Sequence, residues 1–354
     1  MLPMPFLELD TAELAAAFDD WGLPRYRAGQ IKRWIFARKT PLFEQMTDLP
    51  KSVRTLLTEK FGSILQCKEI SRKQSDDSSQ KLLLELADRE RIECVLLRDD
   101  RQHRTACIST QVGCAMKCVF CASGMDGFVR NLTKGEILEQ LLRLNQLLPE
   151  TERLTHIVVM GIGEPTLNLD TLLSALEIIT SPEGLDLSVR RVTISTVGIP
   201  EGIRKLADAV QQTGKGYKLA VSLHAPNDEL RTKIIPQNRF TGIESILQAA
   251  DEYFGKTGRR VTFEYTLIDG VNDRPEHVRQ LAALLRHRTA IVNLIPLNPI
   301  PEPNDQSNHY RAPSEQMVRQ FAEQLQQSGI QVKIRFRKGD KIAAACGQLR
   351  RSRH

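Results

Sequence analysis

Residues 105–124 read TACISTQVGCAMKCVFCASG: a β-rich run, ACISTQV, and then Cys114, Cys118 and Cys121 crowded into a short loop. The stretch opens the alternation that decides the fold. From Ala106 onward, short β-rich runs (THIVVM, RVTIST, KLAVSLH, VTFEYTL, AIVNLIPLN, IQVKIRF) alternate with amphipathic helical patterns such as KGEILEQLLRLNQLL, LDTLLSALEIIT and PEGIRKLADAVQQ. Six βα units closed by one more strand predict a parallel sheet with helices outside it. Regular unit length and right-handed crossovers favour a full or partial barrel over a doubly wound sheet.

In a barrel of parallel strands the chemistry lies at the C-terminal strand ends. Those ends carry Cys114, Cys118 and Cys121 after the first strand, Gly161 to Pro165 (GIGEP) after the second and Ser195 after the third. Ser222 to His224 follow the fourth strand, Asn298 the sixth and Cys346 the seventh.

The first 65 or so residues read as a small helical unit. TAELAAAFDDWG predicts a helix capped by its threonine, and PKSVRTLLTEKFG ends on a glycine stop. Residues 66–104 read as a linker, with SRKQSDDSSQ of linker composition, followed by a β-hairpin in KLLLELADRERIECVLLRDD. The barrel spans 105–348, and 349–354 form a basic tail.

At 354 residues, with 41% hydrophobic residues, the chain is long enough for one large core plus an appendage. No apolar run approaches membrane-spanning length, and the N-terminus carries acids where a signal peptide would be basic, so a cytoplasmic protein without membrane contact is expected. In a reducing compartment seven cysteines point to metal ligation or catalysis rather than disulfides. The net charge of +6 is modest, but basic residues cluster with aromatics in PRYRAGQIKRWIFARK (Arg25, Arg27, Lys32, Arg33, Arg38, Lys39 with Tyr26, Trp34 and Phe36), and again in KIRFRKGDK and RRSRH. Two such clusters flanking a catalytic candidate point to RNA.

The C-x3-C-x2-C spacing turns three thiolates toward one region. Three ligands suit an iron-sulfur cluster that keeps one iron open, or zinc if Cys107 or Cys346 supplies a fourth sulfur. The glycines of GIGEP allow close backbone approach to a ligand amino group, with Glu164 placed to pair with it. Cys67 and Cys94 match no motif and read as structural.

CISTQVGCAMKCVFCASG, GIGEP, VTISTVGIP, LAVSLHAPNDELR, LIPLNPIP and AAACGQL, in this order, resemble the radical S-adenosylmethionine (SAM) RNA methyltransferases of the RlmN/Cfr family. The N-terminal PRYRAGQIKRWIFARKTPLFEQMTDLPKSVR is similar to that family's small helical domain. The resemblance implies a partial (βα)6 TIM-like radical SAM barrel with an additional C-terminal strand. It implies a [4Fe-4S] cluster on Cys114, Cys118 and Cys121, whose open iron holds S-adenosylmethionine, with two molecules of the latter used per turnover. Family positions contacting S-adenosylmethionine correspond to Gly163, Glu164, Ser195, Ser222, Leu223, His224 and Asn298.

By the same resemblance Cys346 matches the cysteine that is methylated on sulfur and then passes the carbon to RNA. Cys107 matches the resolving cysteine that frees the product through a transient disulfide with Cys346. Glu93, in RIECVLL, aligns with the general base. The expected partners are RNA, namely 23S rRNA and also tRNA, and an electron donor such as flavodoxin. The radical route has a chemical reason: an aromatic adenine C–H carbon has no lone pair with which to attack a sulfonium methyl. His103, Arg104 and Arg130 are further candidates for RNA contact.

SLHAPNDELR resembles the carbon-2 enzymes more than the carbon-8 branch of Cfr type, which is the alternative. Gln237 in IIPQNRF and the segment PIPEPNDQSNHYRAPS depart from the usual pattern and bear on substrate identity rather than reaction type. A reading from another class is a zinc-stabilised RNA-binding protein without catalysis.

Overall fold

The computed structural model describes residues 5–300, 310–335 and 342–350. The basic runs at 336–341 and 351–354, and most of the divergent segment at 299–314, lie outside the described residues.

Three helices, α1 (Thr11–Asp20), α2 (Tyr26–Phe36) and α3 (Lys51–Phe61), make the N-terminal unit. The cap of α1 is Asp10, one residue before the predicted threonine. Its carboxylate accepts from Glu13 N at 2.7 Å while Glu13 accepts from Asp10 N at 2.7 Å, a reciprocal box that a threonine already inside the first turn cannot make. Phe6, Phe43 and Phe61 pack edge-on in its centre. The unit is tied to the barrel by Lys39, whose ammonium donates to the carbonyls of Pro149 at 2.7 Å and Glu152 at 2.6 Å.

The hairpin is present as β2 (Gln80–Glu85) and β3 (Arg91–Arg98), with a strand before it, β1 (Lys68–Gln74), pairing antiparallel with β2. Half of the supposed linker is therefore sheet. An edge strand with few buried residues carries polar, charged side chains, the composition that also marks a linker.

The expected first barrel strand divides into β4 (Arg104–Cys107) and β5 (Gln111–Gly113), which pairs with β6 (Phe128–Asn131) to bracket the cysteine loop. The chain continues through α4 (Lys134–Gln146), β7 (His156–Val159), α5 (Leu169–Thr180), β8 (Val192–Thr196), α6 (Pro200–Thr213), β9 (Lys218–Ser222), α7 (Asp228–Ile234) and α8 (Ile243–Thr257). It ends with β10 (Val261–Leu267), α9 (Pro275–Leu285), β11 (Ala290–Pro296), α10 (Glu315–Gln327) and β12 (Gln331–Ile334). The ten-stranded sheet runs β1-β2-β3-β4-β7-β8-β9-β10-β11-β12, parallel from β4 to β12. This is the expected partial barrel with its extra strand, extended at one edge by the antiparallel hairpin.

Strand alternation separates two environments. Outward residues such as Ile157, Ile194, Leu219, Phe263 and Leu294 are buried in one core under the helices. Inward residues include His156, Thr193, Ser222, Glu264, Asn293 and Lys333 beside the apolar Val158, Ile291 and Ile295, so the lumen is hollow and carries polar and titratable groups on a largely apolar wall. The side chains facing the lumen are the ones left free for chemistry.

Candidate active site

At the C-terminal ends of the strands the lumen opens into a cavity of about 150 Å³, lined by Cys114, Cys118 and Cys121 and by Gly163, Glu164, Ser195, Ser222, His224, Asn298 and Cys346. All three motif cysteines and six of the seven predicted S-adenosylmethionine contacts meet there. Leu223 does not line this cavity; its side chain is fully buried in the main core.

The cysteine loop is held at both ends. Gly113 has φ +73°, and a Cβ there would overlap the carbonyl of Gly127, which accepts from Cys114 N at 3.0 Å. At the other end Ala122 N donates to Gly347 O at 2.7 Å and Ser123 Oγ to Leu349 O at 2.7 Å, fastening the loop to the segment that carries Cys346. Burial pushes the Cys114 thiol up to about 12 and the Cys118 thiol well above its usual range. Ligation has to displace those protons. In an iron-sulfur cluster each thiolate goes to a different iron, so three cysteines spread around one cavity suit such a cluster.

The opposite wall is set by hydrogen bonding. Glu164 is 3% exposed; its carboxylate accepts from Thr166 Oγ1 at 2.6 Å and Val197 N at 2.7 Å, and burial raises its pKa. Ser195 Oγ donates to Val159 O at 2.6 Å. His224, at φ +56°, accepts at Nδ1 from Thr266 N at 2.9 Å, and its ring stands edge-on to Phe120 at 4.8 Å. Burial pushes its pKa down to about 3, so the ring is neutral, and with Nδ1 accepting, the proton is on Nε2. Asn298 donates from Nδ2 to Cys346 O at 2.9 Å, while its buried Oδ1 has no hydrogen-bond partner among the described residues. A buried orphan acceptor in the cavity that Glu164 also lines suits a ligand carrying ammonium or exocyclic amine protons, as S-adenosylmethionine does.

A second cavity of about 110 Å³ adjoins the first, sharing Met160, Ile295, Asn298, Arg335 and Cys346, and is lined also by Cys107. Cys107 and Cys346 therefore face one cleft, both as free thiols. Burial and the neighbouring Cys346 push the Cys107 thiol up to about 12, and Arg335 opposes that shift.

Glu93 lines neither cavity. It is 7% exposed on β3, on the same strand face as Val95, which packs with Cys107. Its carboxylate pairs with Lys81 at 2.8 Å and accepts from Arg350 N at 3.0 Å.

The basic candidates divide. Arg25, Arg33 and Arg38 are exposed, with Tyr26 61% exposed beside Arg27. Lys32 is not a surface residue: it is 3% exposed and burial lowers its pKa to about 8, because α2 turns this position toward the barrel. Arg104 is bidentate to Glu152 and Arg130 is held by Asp88 and Glu136, while His103 pairs with Asp99 at 2.8 Å. Cys67 and Cys94 are buried free thiols that line neither cavity.

Two arginines escaped the sequence reading. Arg231 is 1% exposed and donates to the carbonyls of Leu223 at 3.0 Å, Ser222 at 2.9 Å and Val197, tying together the loops after β8 and β9. Arg335 lies where the lumen and both cavities meet. Arg231 stands inside LAVSLHAPNDELR, so the signal was an arginine at the end of a motif.

Residues 108–282 match the family model of the radical SAM superfamily, and residues 4–62 match that of the ribosomal RNA large subunit methyltransferase N-terminal domain. A probable dual-specificity RNA methyltransferase RlmN from Rhodopirellula baltica is 54% identical over 338 residues, covering 94% of this chain and 88% of that protein. The ribosomal RNA large subunit methyltransferase N of Nitrosopumilus maritimus is 44% identical, with 94% of each chain covered. The crystal structure of a radical SAM methyltransferase from Sphaerobacter thermophilus superposes with a TM-score of 0.93 at 41% identity, covering 99% of this chain and 100% of that one. With the cysteine loop, the glycine turn and the late cysteine converging on one barrel mouth, the chain belongs to the RlmN family of radical SAM RNA methyltransferases.

Proposed function

We propose that the enzyme methylates carbon 2 of adenosine in RNA by way of a methyl group first carried on the sulfur of Cys346. The observation that supports this reading is the single cleft shared by Cys346 and Cys107, continuous with the cavity of Cys114, Cys118 and Cys121. Membership of the family brings a [4Fe-4S] cluster and S-adenosylmethionine. Together these supply one-electron chemistry that removes a hydrogen atom from a carbon no base could deprotonate.

The chain's own residues do the rest. Cys114, Cys118 and Cys121 hold the cluster; Gly163, Glu164, Ser195, Ser222, His224 and Asn298 seat S-adenosylmethionine, joined by the main chain at Leu223. Cys346 carries the one-carbon unit to the base. Glu93, held by Lys81, takes the proton from carbon 2, reaching it directly or through one water once RNA is bound. Cys107, as its thiolate, then attacks the Cys346 sulfur: the S–S bond forms as the bond from that sulfur to the transferred carbon breaks, and this carbon takes up a proton to complete the product methyl; this requires the two Cα atoms to come within about 7 Å. Two S-adenosylmethionine molecules are used per turnover, with electrons from a donor such as flavodoxin.

The names of the relatives, a ribosomal RNA large subunit methyltransferase and a dual-specificity RNA methyltransferase, favour large-subunit ribosomal RNA together with a second kind of RNA; the substrates proposed are 23S rRNA and tRNA. The proposed place of action is the cytoplasm, and among the described residues no helix is long and apolar enough to cross a membrane.

The test is a peptide mass spectrum of protein purified without oxygen, paired with nucleoside analysis of RNA from a deletion strain and its complement. One added methyl on Cys346, absent in Cys118→Ala, together with 2-methyladenosine restored by the complement, is the expected result. An unmodified Cys346 in cluster-loaded protein overturns the thiol relay, and 8-methyladenosine overturns the regiochemistry.

A further inference from the structure

The lumen has a second mouth. At the N-terminal ends of the strands, opposite the cysteine loop, it widens to a cavity of about 360 Å³. Lys218 and Ser222 are the two ends of β9, which at about 3.3 Å per residue puts roughly 13 Å between this mouth and the S-adenosylmethionine cavity. Barrel interiors are ordinarily filled by layers of branched apolar side chains. Here the first inward positions are Thr105, His156, Thr193, Lys218, Thr262 and Ile291, with Lys333 from β12, so polar and charged side chains stand around an open mouth whose wall is otherwise apolar, with Val158 and Met160 behind them.

Its cations outnumber its carboxylates. Arg191, Lys218 and Lys333 ring the opening, with Arg98 from β3 and Arg335 deeper inside. Against them stand Asp99, which pairs with His103 at 2.8 Å, and Glu264, which accepts from Asn293 Nδ2 at 2.8 Å and faces Arg335. Among the described residues none of the ion pairs involves Arg191, Lys218 or Lys333. Burial, then the nearby Lys333 and Arg259, lower the Lys218 pKa, and burial with His103, Arg191 and Lys218 pushes His156 down to about 4. Like charges gathered around a concave wall of low dielectric repel one another and focus a positive field into the opening. A bound anion relieves that repulsion.

We infer that the N-terminal mouth of the barrel binds a small phosphate-bearing ligand, up to the size of a mononucleotide, held by Arg191, Lys218 and Lys333. Guanidinium and ammonium donors around one opening, with the hydroxyls of Thr193 and Thr262 beside them, match phosphate oxygens. A volume of this size holds a nucleoside phosphate and is more than a lone chloride needs. RNA whose target base lies at Cys346 engages the other end of the barrel, so its backbone is the disfavoured source of the phosphate. The inference does not depend on the regiochemistry or thiol relay proposed above.

The experiment is calorimetric titration of the anaerobically purified holoenzyme with pyrophosphate and, separately, adenosine monophosphate, at an ionic strength fixed with chloride. Saturable one-to-one binding is expected. Lys218→Gln and Lys333→Gln should each weaken it on the order of tenfold, and Lys218→Arg should retain it. Both lysines are exposed, so cluster content, S-adenosylmethionine affinity and thermal midpoint should stay at wild-type values in these variants. Absence of saturable binding to the wild type overturns the inference, as does binding that survives the double variant. Loss of RNA affinity in the double variant without any small-anion binding also overturns it, assigning the mouth to RNA phosphates.

Discussion

Asn298 joins the two cavities: its Nδ2 donates to the carbonyl of Cys346 at 2.9 Å, and its Oδ1 is left as a buried acceptor. One amide thus fixes the loop of the late cysteine and offers an oxygen to whatever fills the cavity beside it. Asn298→Ala should raise the KM for S-adenosylmethionine by roughly tenfold and lower the fraction of Cys346 found methylated. Asn298→Asp should be worse than alanine, because it sets a carboxylate oxygen against the Cys346 carbonyl. Equal effects of the two variants on both readouts would remove the loop-fixing role.

Gly163 sits at φ +111°, and a Cβ built there falls 2.6 Å from the Cβ of Gln111, whose Oε1 accepts from Glu164 N at 2.8 Å. Gly163→Ala should therefore cost about 1–3 kcal/mol and displace Glu164. Gly214, at φ +68° with open space around its Cβ position, is the control: alanine there should cost about 1 kcal/mol and leave S-adenosylmethionine binding intact. Denaturant unfolding and calorimetry on both variants check the contrast.

Arg231 stands behind the site rather than in it. Removing its guanidinium takes a donor from the carbonyls of Leu223, Ser222 and Val197 and from the amide oxygen of Asn238, with Leu223 O keeping Ala225 N. Arg231→Met should destabilise the protein on the order of 3–5 kcal/mol, read from urea unfolding. Arg231→Lys should recover only part of this, since an ammonium cannot spread donors as a planar fork does.

The parallel strands and the cysteine loop were legible because both signals are local: period-two alternation, helical spacing and a short C-x3-C-x2-C run. His224 and Asn298 followed from topology, since a barrel brings all strand ends to one mouth. What sequence could not supply was the direction in which long side chains point once distant segments meet. Lys32 belongs to a basic run in the sequence, but the docking of α2 buries it. Lys39 likewise reaches the turn after α4. Residues 71–74 have linker composition because an edge strand and a linker are both solvated. Glu93 was placed by motif alone, and its pairing with Lys81 and with the main chain at Arg350 is a tertiary fact that no local pattern encodes.

The buried Lys32 makes the RNA-docking idea sharper. Charge reversal at the exposed Arg25, Arg33 and Arg38 should weaken RNA binding and flatten its dependence on salt, with cluster content and unfolding midpoint unchanged. Lys32→Glu should lower the unfolding midpoint instead, because it places a carboxylate near Asp10, Glu13 and Glu183 in a buried position. Filter binding across a salt series, with thermal unfolding of each variant, separates the two effects; a salt slope unchanged in the triple variant would end the assignment.

His224 carries the acid-side prediction. Burial pushes its pKa down to about 3, below the ordinary histidine value, so the folded protein keeps the ring neutral while the unfolded chain takes up a proton as pH falls below about 6.5. Unfolded chains then bind more protons than folded ones, and stability falls with decreasing pH from about 6.5 toward 3, by as much as about 1.4 kcal/mol per pH unit from this residue. Above pH 6.5 the contribution is flat. Asparagine tolerates a positive φ and presents a side-chain oxygen where Nδ1 now accepts from Thr266 N. His224→Asn should therefore fold, lose Nε2 as a donor into the cavity and show a shallower decline of stability between pH 6.5 and 5 in urea unfolding. An identical decline in wild type and variant would mean that the imidazole takes up its proton as readily in the folded as in the unfolded state, and the neutral ring argued for the cavity would fall with it.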